Sequence, residues 1–421
     1  MVKYCQLYLI QNIVGGEIMS KKNDDFFKEK KSWSEVKDEL LGCYLKPYVQ
    51  KILNTRKPIV YVDCFAGKGV FEDGKPGSPM IALDTMKECL AHTQVNGWRI
   101  RPYFIDLNYA SDLSDNLAKY KLPSGSIISG KYEDEIHTIL SKSGGSNIFL
   151  YIDPYGIKAL NHQFFDEFAT SGRYNSVELL INLNSFGFIR EGCRVLGVSF
   201  GDETLFDDLV EYETTKLEKN EKSILLLNEI AGGEYWQEII QKKNRGIIDT
   251  KEAETLFAER YCERLKQNYR YVLNMPLRIK KGQAPKYRMV HATNHIEGCL
   301  LMVNNICNRW ELMKSIQTGG QMSLFQEDVD NNIIDECELS AKVEAHVEKY
   351  SEFERLNDIL ANFFMINGPV CSTGKVNDIF RNMENSGKID IIREPGTTPT
   401  GRPSKFFADE KGKITKLRWK S

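Results

Sequence analysis

The chain of 421 residues contains no Cys-x-x-Cys pair, no apolar run of membrane length, no internal repeat and almost no net charge. Its ten cysteines (5, 43, 64, 89, 193, 262, 299, 307, 337 and 371) include no close pair except Cys299 and Cys307. Compact zinc and iron–sulfur sites draw on paired ligands, so no metal site is expected. Dispersed cysteines without a secretion signal are expected as reduced thiols in a cytoplasmic protein. His291 and His295 are four apart but have no third ligand in the pattern, and a structural or capping role is expected for them. The longest apolar runs, Ile148–Ile152 and Val177–Leu183, fall far short of the roughly 18 residues that span a bilayer, so no membrane partner is expected. The 56 basic and 58 acidic residues give a net charge of −2, which does not advertise nucleic-acid binding but leaves room for a local basic patch. Hydrophobic residues at 42% and charged residues at 27% exclude wholesale disorder and fibrous repeats. At roughly 150 residues per domain, the length predicts two or three domains.

The first thirty residues are expected to be disordered or artefactual. Gly15-Gly16-Glu17 precedes Met19, and its codons can spell a purine-rich ribosome-binding site, so translation is expected to start at Met19. A helix is then predicted over Trp33–Leu53, with Ser34 as N-cap and Val36, Leu40, Leu41, Tyr44 and Leu45 at helical spacing. Pro58–Ala66 reads as a buried parallel strand, and Ser78-Pro79 opens the next helix as N-cap and first-turn proline. Pro102–Leu107, Ser126–Ser129, Asn147–Ile152 and Val177–Asn184 continue the strand series, with helical or loop stretches between them. This alternation predicts a parallel α/β sheet. Residues 190–250 read as a helical, acidic insertion. A helix at Glu252–Lys266, a strand pair at Tyr269–Ile279 and Tyr287–His291, and a helix at Glu297–Lys314 are expected to complete the sheet with an antiparallel edge.

Charge shifts after Gly319. Gln326–Asp358 holds 11 acidic and 3 basic residues, a net of −8, whereas Ile366–Ser421 holds 11 basic and 6 acidic residues, a net of +5. Helices at Phe353–Phe364 and Gly374–Ser386, then strands at Ile389–Arg393 and Ser404–Ala408 around a Gly/Pro/Thr loop, predict a winged helix. Lys375, Arg381, Arg402 and Lys405 are its candidate phosphate contacts, with a protein-docking role equally open. The expected organisation is a domain over 31–318, an acidic linker over 319–350 and the winged-helix-like unit over 351–421.

The candidate site residues lie at strand ends. The first strand runs into Asp63-Cys64-Phe65-Ala66-Gly67-Lys68-Gly69, where glycines let the backbone approach a nucleoside and Asp63 can order the loop through backbone amides. Asp106 ends the second strand, well placed for the ribose hydroxyls of a nucleoside lying across the sheet edge. Gly130-Lys131-Tyr132-Glu133 follows the third strand and is suited either to packing on a base or to an ordinary surface loop. The fourth strand ends in Asp153-Pro154-Tyr155-Gly156. An exocyclic amine is a poor nucleophile because its lone pair is delocalised into the ring. A carboxylate and a backbone carbonyl accepting its N–H groups draw that pair back to nitrogen, and an aromatic neighbour holds the base in line with a methyl donor. Asn182 and Asn184, on the following strand, either line the acceptor pocket or satisfy strand-end backbone groups.

Phe65-Ala-Gly-Lys-Gly69 and Asp153-Pro-Tyr-Gly156 resemble the FxGxG and DPPY motifs of class I S-adenosylmethionine-dependent amino-methyltransferases. More closely, Asp63–Gly69, Gly77-Ser-Pro79, Tyr103-Phe-Ile-Asp106, Asp153–Gly156 and Thr293–Met302 resemble the three-Cys-motif partner protein family (TcmP) over about residues 25–315. The motif order is also similar to that of the RlmJ-type rRNA adenine methyltransferases. The resemblance implies a class I methyltransferase, Rossmann-like α/β sheet with a helical insertion. It implies S-adenosylmethionine contacts at Phe65, Gly67, Ser78, Asp106 and Glu133, with Asp63 and Gly69 in the same loop, and a catalytic group at Asp153 with Pro154 and Tyr155. It further implies a partner carrying three closely spaced cysteines on an iron–sulfur centre. Asp-Pro-Tyr-Gly lacks the second proline of that motif, which moves the aromatic one position earlier. The expected activity is methyl transfer to a nucleic-acid base amine. The alternative is a non-catalytic donor-binding or scaffold subunit, and a transcription regulator built on the winged helix explains only the last part of the chain. Gln321-Met-Ser-Leu-Phe325 resembles the pentapeptide that docks on the bacterial sliding clamp.

Overall fold

The structure, a computed structural model, describes residues 24–92, 99–201, 217–278, 283–285, 287–317, 332–410 and 412–420. Its centre is a seven-stranded sheet made of β1 (Ile59–Asp63), β2 (Ile100–Asp106), β3 (Ile127–Ser129), β4 (Asn147–Ile152), β5 (Ser176–Leu183), β6 (Tyr271–Leu277) and β7 (Tyr287–Thr293). The order is β3-β2-β1-β4-β5-β7-β6, and β7 alone runs antiparallel to both its neighbours. Without β7, the other six follow the doubly wound order of a Rossmann-like α/β sheet. Only nine residues separate β6 from β7, too few for a crossover, so this last pair closes as a hairpin. Every residue of β1, β4 and β5 is buried, the pattern of strands covered on both faces.

Helices cover the two faces. Tyr61, Phe149 and Tyr151 point into one core with α1 (Ser32–Leu53), α2 (Ser78–Ala91) and α10 (Ile296–Gln317). Val60, Val62, Leu150 and Ile152 point into the other. There they meet α4 (Tyr132–Ser141), α5 (His162–Thr170), α6 (Ser185–Leu196), α7 (Glu221–Ala231), α8 (Tyr235–Asn244) and α9 (Thr250–Leu265), while α3 (Ala110–Leu117) lies on the first side. The stretch read as an insertion is thus helical where it is described and contributes Leu227, Trp236 and Ile240 to the core.

The C-terminal unit comprises α11 (Glu336–Val347), α12 (Leu356–Asn367), α13 (Thr373–Asn385) and an antiparallel sheet of β8 (Glu354–Arg355), β10 (Ile414–Trp419) and β9 (Ile389–Glu394). It is docked on α10: Asn304 exchanges side-chain and backbone bonds with Thr373, and the apolar core runs from Trp310 to Leu339, Phe364 and Leu417 without a break.

Several local expectations are corrected. Ser34 does not cap α1; Lys31 is its N-cap residue and Ser34 is buried within the first turn. Gly77, not Ser78, is the N-cap of α2, which frees the Ser78 hydroxyl for another partner. Residues 404–408 are not a strand. Ser404 and Phe406 are tied back to Pro395 and Arg393, and the pairing partner of β9 is the alternating Ile414–Trp419 segment. Part of the stretch read as linker is α11, held by Leu339, Val343 and Val347. Asp24–Phe27, within the segment expected to be disordered, forms a short 3-10 turn. No helix among the described residues is long and apolar enough to cross a membrane, and no group of metal-ligating side chains is found among them.

Candidate functional site

Ligands of doubly wound sheets bind outside the C-terminal strand ends, where the strand order reverses. Here that place lies beyond β1 and β4, and it holds a cleft open to solvent. Phe65, Gly67, Gly69, Ser78, Asp153, Pro154 and Tyr155 all line it. Seven of the ten site residues read from the sequence therefore meet in one place, although 65–78 and 153–155 are far apart in the chain. Asp63, Asp106 and Glu133 are not among the lining residues.

Gly67 (φ 60°) and Gly69 (φ 76°) both use the left-handed backbone region, which makes the sharp turn after β1 possible. Their missing side chains also make room inside the protein. A Cβ on Gly67 would meet the Phe27 ring at 2.9 Å, and one on Gly69 would meet Leu113 at 2.7 Å. Phe27 packs with Phe71 and Tyr109 in a small aromatic cluster beside the loop, and the Phe27 carbonyl accepts from the Glu72 amide at 2.7 Å. The Lys68 ammonium sits over the Phe27 and Tyr109 rings.

Asp63 and Asp106 hold this loop from below. Asp106 accepts from the backbone amides of Gly67 (2.9 Å), Asn108 (2.8 Å) and Tyr109 (2.7 Å). Three of the roughly four acceptor positions of a carboxylate are thereby used in holding the loop. Glu133 lies in the first turn of α4, half-buried. Asp63 accepts from the Ser78 hydroxyl (2.7 Å) and the Phe65 amide (3.3 Å), which ties the start of α2 to the end of β1.

Burial pushes the Asp63 carboxyl up to about 7, against the downward pull of the Ser78 and Phe65 bonds. With its folded value above the ordinary 3.8, Asp63 keeps its proton where the unfolded chain has lost it. Its stabilising contribution is full below the unfolded value and is lost as pH rises through the folded one. Asp38, pushed to about 6 by burial despite its Lys30 partner, acts in the same direction. His162, pushed down to about 3 by burial, acts in the opposite direction below the ordinary histidine value. The test is therefore a difference between chains. Relative to wild type, Asp63→Asn is expected to gain melting temperature steadily from about pH 4.5 to about pH 7.5. A gap that stays constant across that window contradicts the burial of a titrating Asp63.

Asp153 is the centre of a network that sequence reasoning captured only in part. Its Oδ1 accepts from Lys37 Nζ (3.0 Å) and Asn182 Nδ2 (2.6 Å); its Oδ2 accepts from Lys37 Nζ (2.7 Å) and the Tyr151 hydroxyl (3.3 Å). Lys37, on α1, was missed. The signal was present: positions 37, 41, 44 and 48 form one stripe along the helix, with lysine in line with Leu41, Tyr44 and Tyr48. A lysine on an apolar stripe needs a buried partner, and Asp153 is that partner. Asn182, left between two roles by the sequence, lines the cleft and holds Asp153; Asn184 also lines it but spends its side-chain oxygen on the Gly187 amide as the cap of α6. Tyr155 is the exposed member, edge-on to Phe26 with ring centres 6.1 Å apart.

His291 is buried beside Glu178, which also takes a 2.5 Å bond from the Tyr44 hydroxyl. On the C-terminal unit, Lys375, Arg381, Arg402 and Lys405 are all exposed; Arg381 pairs with Asp378 and lies over the Phe407 ring. Gln321–Phe325 lies outside the described residues. No protein-family model matches the chain, and no curated protein sequence matches it.

Proposed function

We propose that this chain is an S-adenosylmethionine-dependent methyltransferase that modifies a base amine of nucleic acid, in company with a three-Cys-motif partner. The observation that carries the reading is the Asp153 network, set in the same cleft as the two left-handed glycines at the strand-order reversal. The residues present fit the donor: a glycine turn, the Ser78 hydroxyl and the Phe65 face line the cleft and are the groups that would hold it, with Asp106 beneath fixing the glycine turn. Among the described cleft-lining residues, Ser34 Oγ and Asn182 Oδ1 are buried without a partner, which suits a polar ligand. When bound, S-adenosylmethionine supplies a methyl group already activated on a sulfonium sulfur.

The protein's part is then positioning. Asp153 and the Pro154 carbonyl set the acceptor pocket, Lys37 and Tyr151 fix the carboxylate, and Tyr155 stands at the mouth to support a base. Such orientation supplies several of the roughly 7–11 kcal/mol available from holding reactants in line. A base taken from a duplex must first be flipped, at a cost of a few kcal/mol. The C-terminal unit is read as a winged helix whose exposed Lys375, Arg381, Arg402 and Lys405 meet phosphates. Changing Arg402 and Lys405 together to glutamate is expected to weaken nucleic-acid binding and flatten its salt dependence by about 1.8 in slope, measured by titration at several salt concentrations. An unchanged slope contradicts that surface.

A second reading, a donor-binding scaffold without catalysis, is favoured by one feature: every oxygen of Asp153 is already engaged by the protein's own donors. Transfer of a radiolabelled methyl group to RNA and DNA, with wild type and Asp153→Asn, separates the two. Transfer that falls about 100-fold in the variant supports the enzyme. Donor binding with no transfer to any acceptor supports the scaffold.

A further inference from the structure

We propose that the amine of the acceptor is held by the side-chain oxygen of Asn182, so that Asn182 is the residue that selects an amino-bearing base over an oxo-bearing one. This inference rests on the methyl-transfer reading of the cleft and assigns its acceptor contact. Asn182 is 2% exposed, lines the cleft, and carries one of only two unpartnered buried side-chain oxygens among the described cleft-lining residues.

The orientation of its amide follows from chemistry. The Asp153 oxygen 2.6 Å away is an acceptor, since the Lys37 ammonium donates to both oxygens of that carboxylate. The Asn182 atom facing it must therefore be the NH₂ group, which leaves the carbonyl oxygen as the atom without a partner. Asp153 itself has little to offer: its two oxygens take four contacts, two from Lys37, one from Asn182 and one from Tyr151, and a carboxylate has about four acceptor positions. The acceptor capacity beside Asp153 thus resides on Asn182. In this arrangement Asp153 is a positioning residue: it accepts from Asn182 Nδ2 and so fixes Asn182 Oδ1 as an acceptor only. An acceptor-only oxygen takes an N–H of an exocyclic amine and repels the carbonyl that replaces it in the oxo analogue.

The probes are oligoadenylate against oligoinosinate and oligocytidylate against oligouridylate, titrated by fluorescence anisotropy onto the full chain without donor. Wild type is expected to bind at least one amino form about tenfold more tightly than its oxo counterpart, the discrimination of one well-placed hydrogen bond. Asn182→Leu is expected to bring that ratio close to one by weakening the amino form alone. Thermal melting of Asn182→Leu beside wild type guards against a ratio lost through misfolding. A wild type that does not discriminate, an Asn182→Leu chain that weakens both forms equally, or an unchanged ratio overturns the contact. Donor binding is titrated separately: discrimination without any donor binding keeps the Asn182 contact and removes methyl transfer, whereas donor binding and transfer with an unchanged ratio keep methyl transfer and remove the contact.

Discussion

Gly67→Val is expected to abolish measurable binding of S-adenosylmethionine and to lower stability by about 3 kcal/mol. The backbone at Gly67 sits at φ 60°, where a residue with Cβ pays roughly 1–2 kcal/mol and a β-branched one more. The added Cβ also lands 2.9 Å from the buried Phe27 ring, which packs against Phe71 and Tyr109. Relaxing the left-handed backbone rotates the loop, and rotation breaks the 2.9 Å bond from the Gly67 amide to Asp106. The turn after β1 and the buried acid under it thus fail together. Thermal melts and calorimetric titration of the same preparation check both parts. A variant that melts and binds like wild type contradicts the claim that this turn shapes the donor site.

Asp153→Ala is the second large effect, and its two consequences are separable. Methyl transfer is expected to fall about 100-fold or more, because the acceptor loses the group that orients its pocket. Stability is expected to fall by about 2 kcal/mol, because the Lys37 ammonium, 8% exposed, is left without its carboxylate and Asn182 Nδ2 without its acceptor. Adding Lys37→Met to Asp153→Ala removes the stranded charge and is expected to return most of the stability while leaving transfer lost. The cycle of single and double variants measures that coupling directly. A double variant that regains activity contradicts an orienting role for Asp153.

Much of this site was legible in the sequence because strand ends are punctuated. Asp63 and Gly67 after β1, Asp106 after β2, and Asp153-Pro154 after β4 each follow a short apolar run, and a parallel sheet brings such ends to one edge. Which polar group contacts which was not legible. Lys37 reaches Asp153 across 116 positions of chain, a pairing no local pattern encodes, although its place on an apolar helical stripe announced a buried partner. Phe27 against Gly67 was lost in a segment expected to be disordered, because two phenylalanines among Asp and Lys give no periodicity to read. The pairing partner of β9 was misplaced for a related reason. Ser404–Ala408 follows a Gly/Pro turn as a strand should, but Ile414–Trp419 has the alternation that fills a ladder, and pairing went to the alternation. Ser78 was read as a cap from its position before proline; its hydroxyl instead serves Asp63, a strand end that only folding brings near.

The central claim is that the cleft beyond β1 and β4 binds S-adenosylmethionine. Calorimetric titration of the full chain with S-adenosylmethionine, run beside Asp106→Ala and Ser78→Ala, tests it most directly. Saturable one-to-one binding at micromolar concentration, weakened in both variants while their folds persist, is the result the account predicts. A well-folded wild type that shows no binding heat at millimolar donor contradicts it.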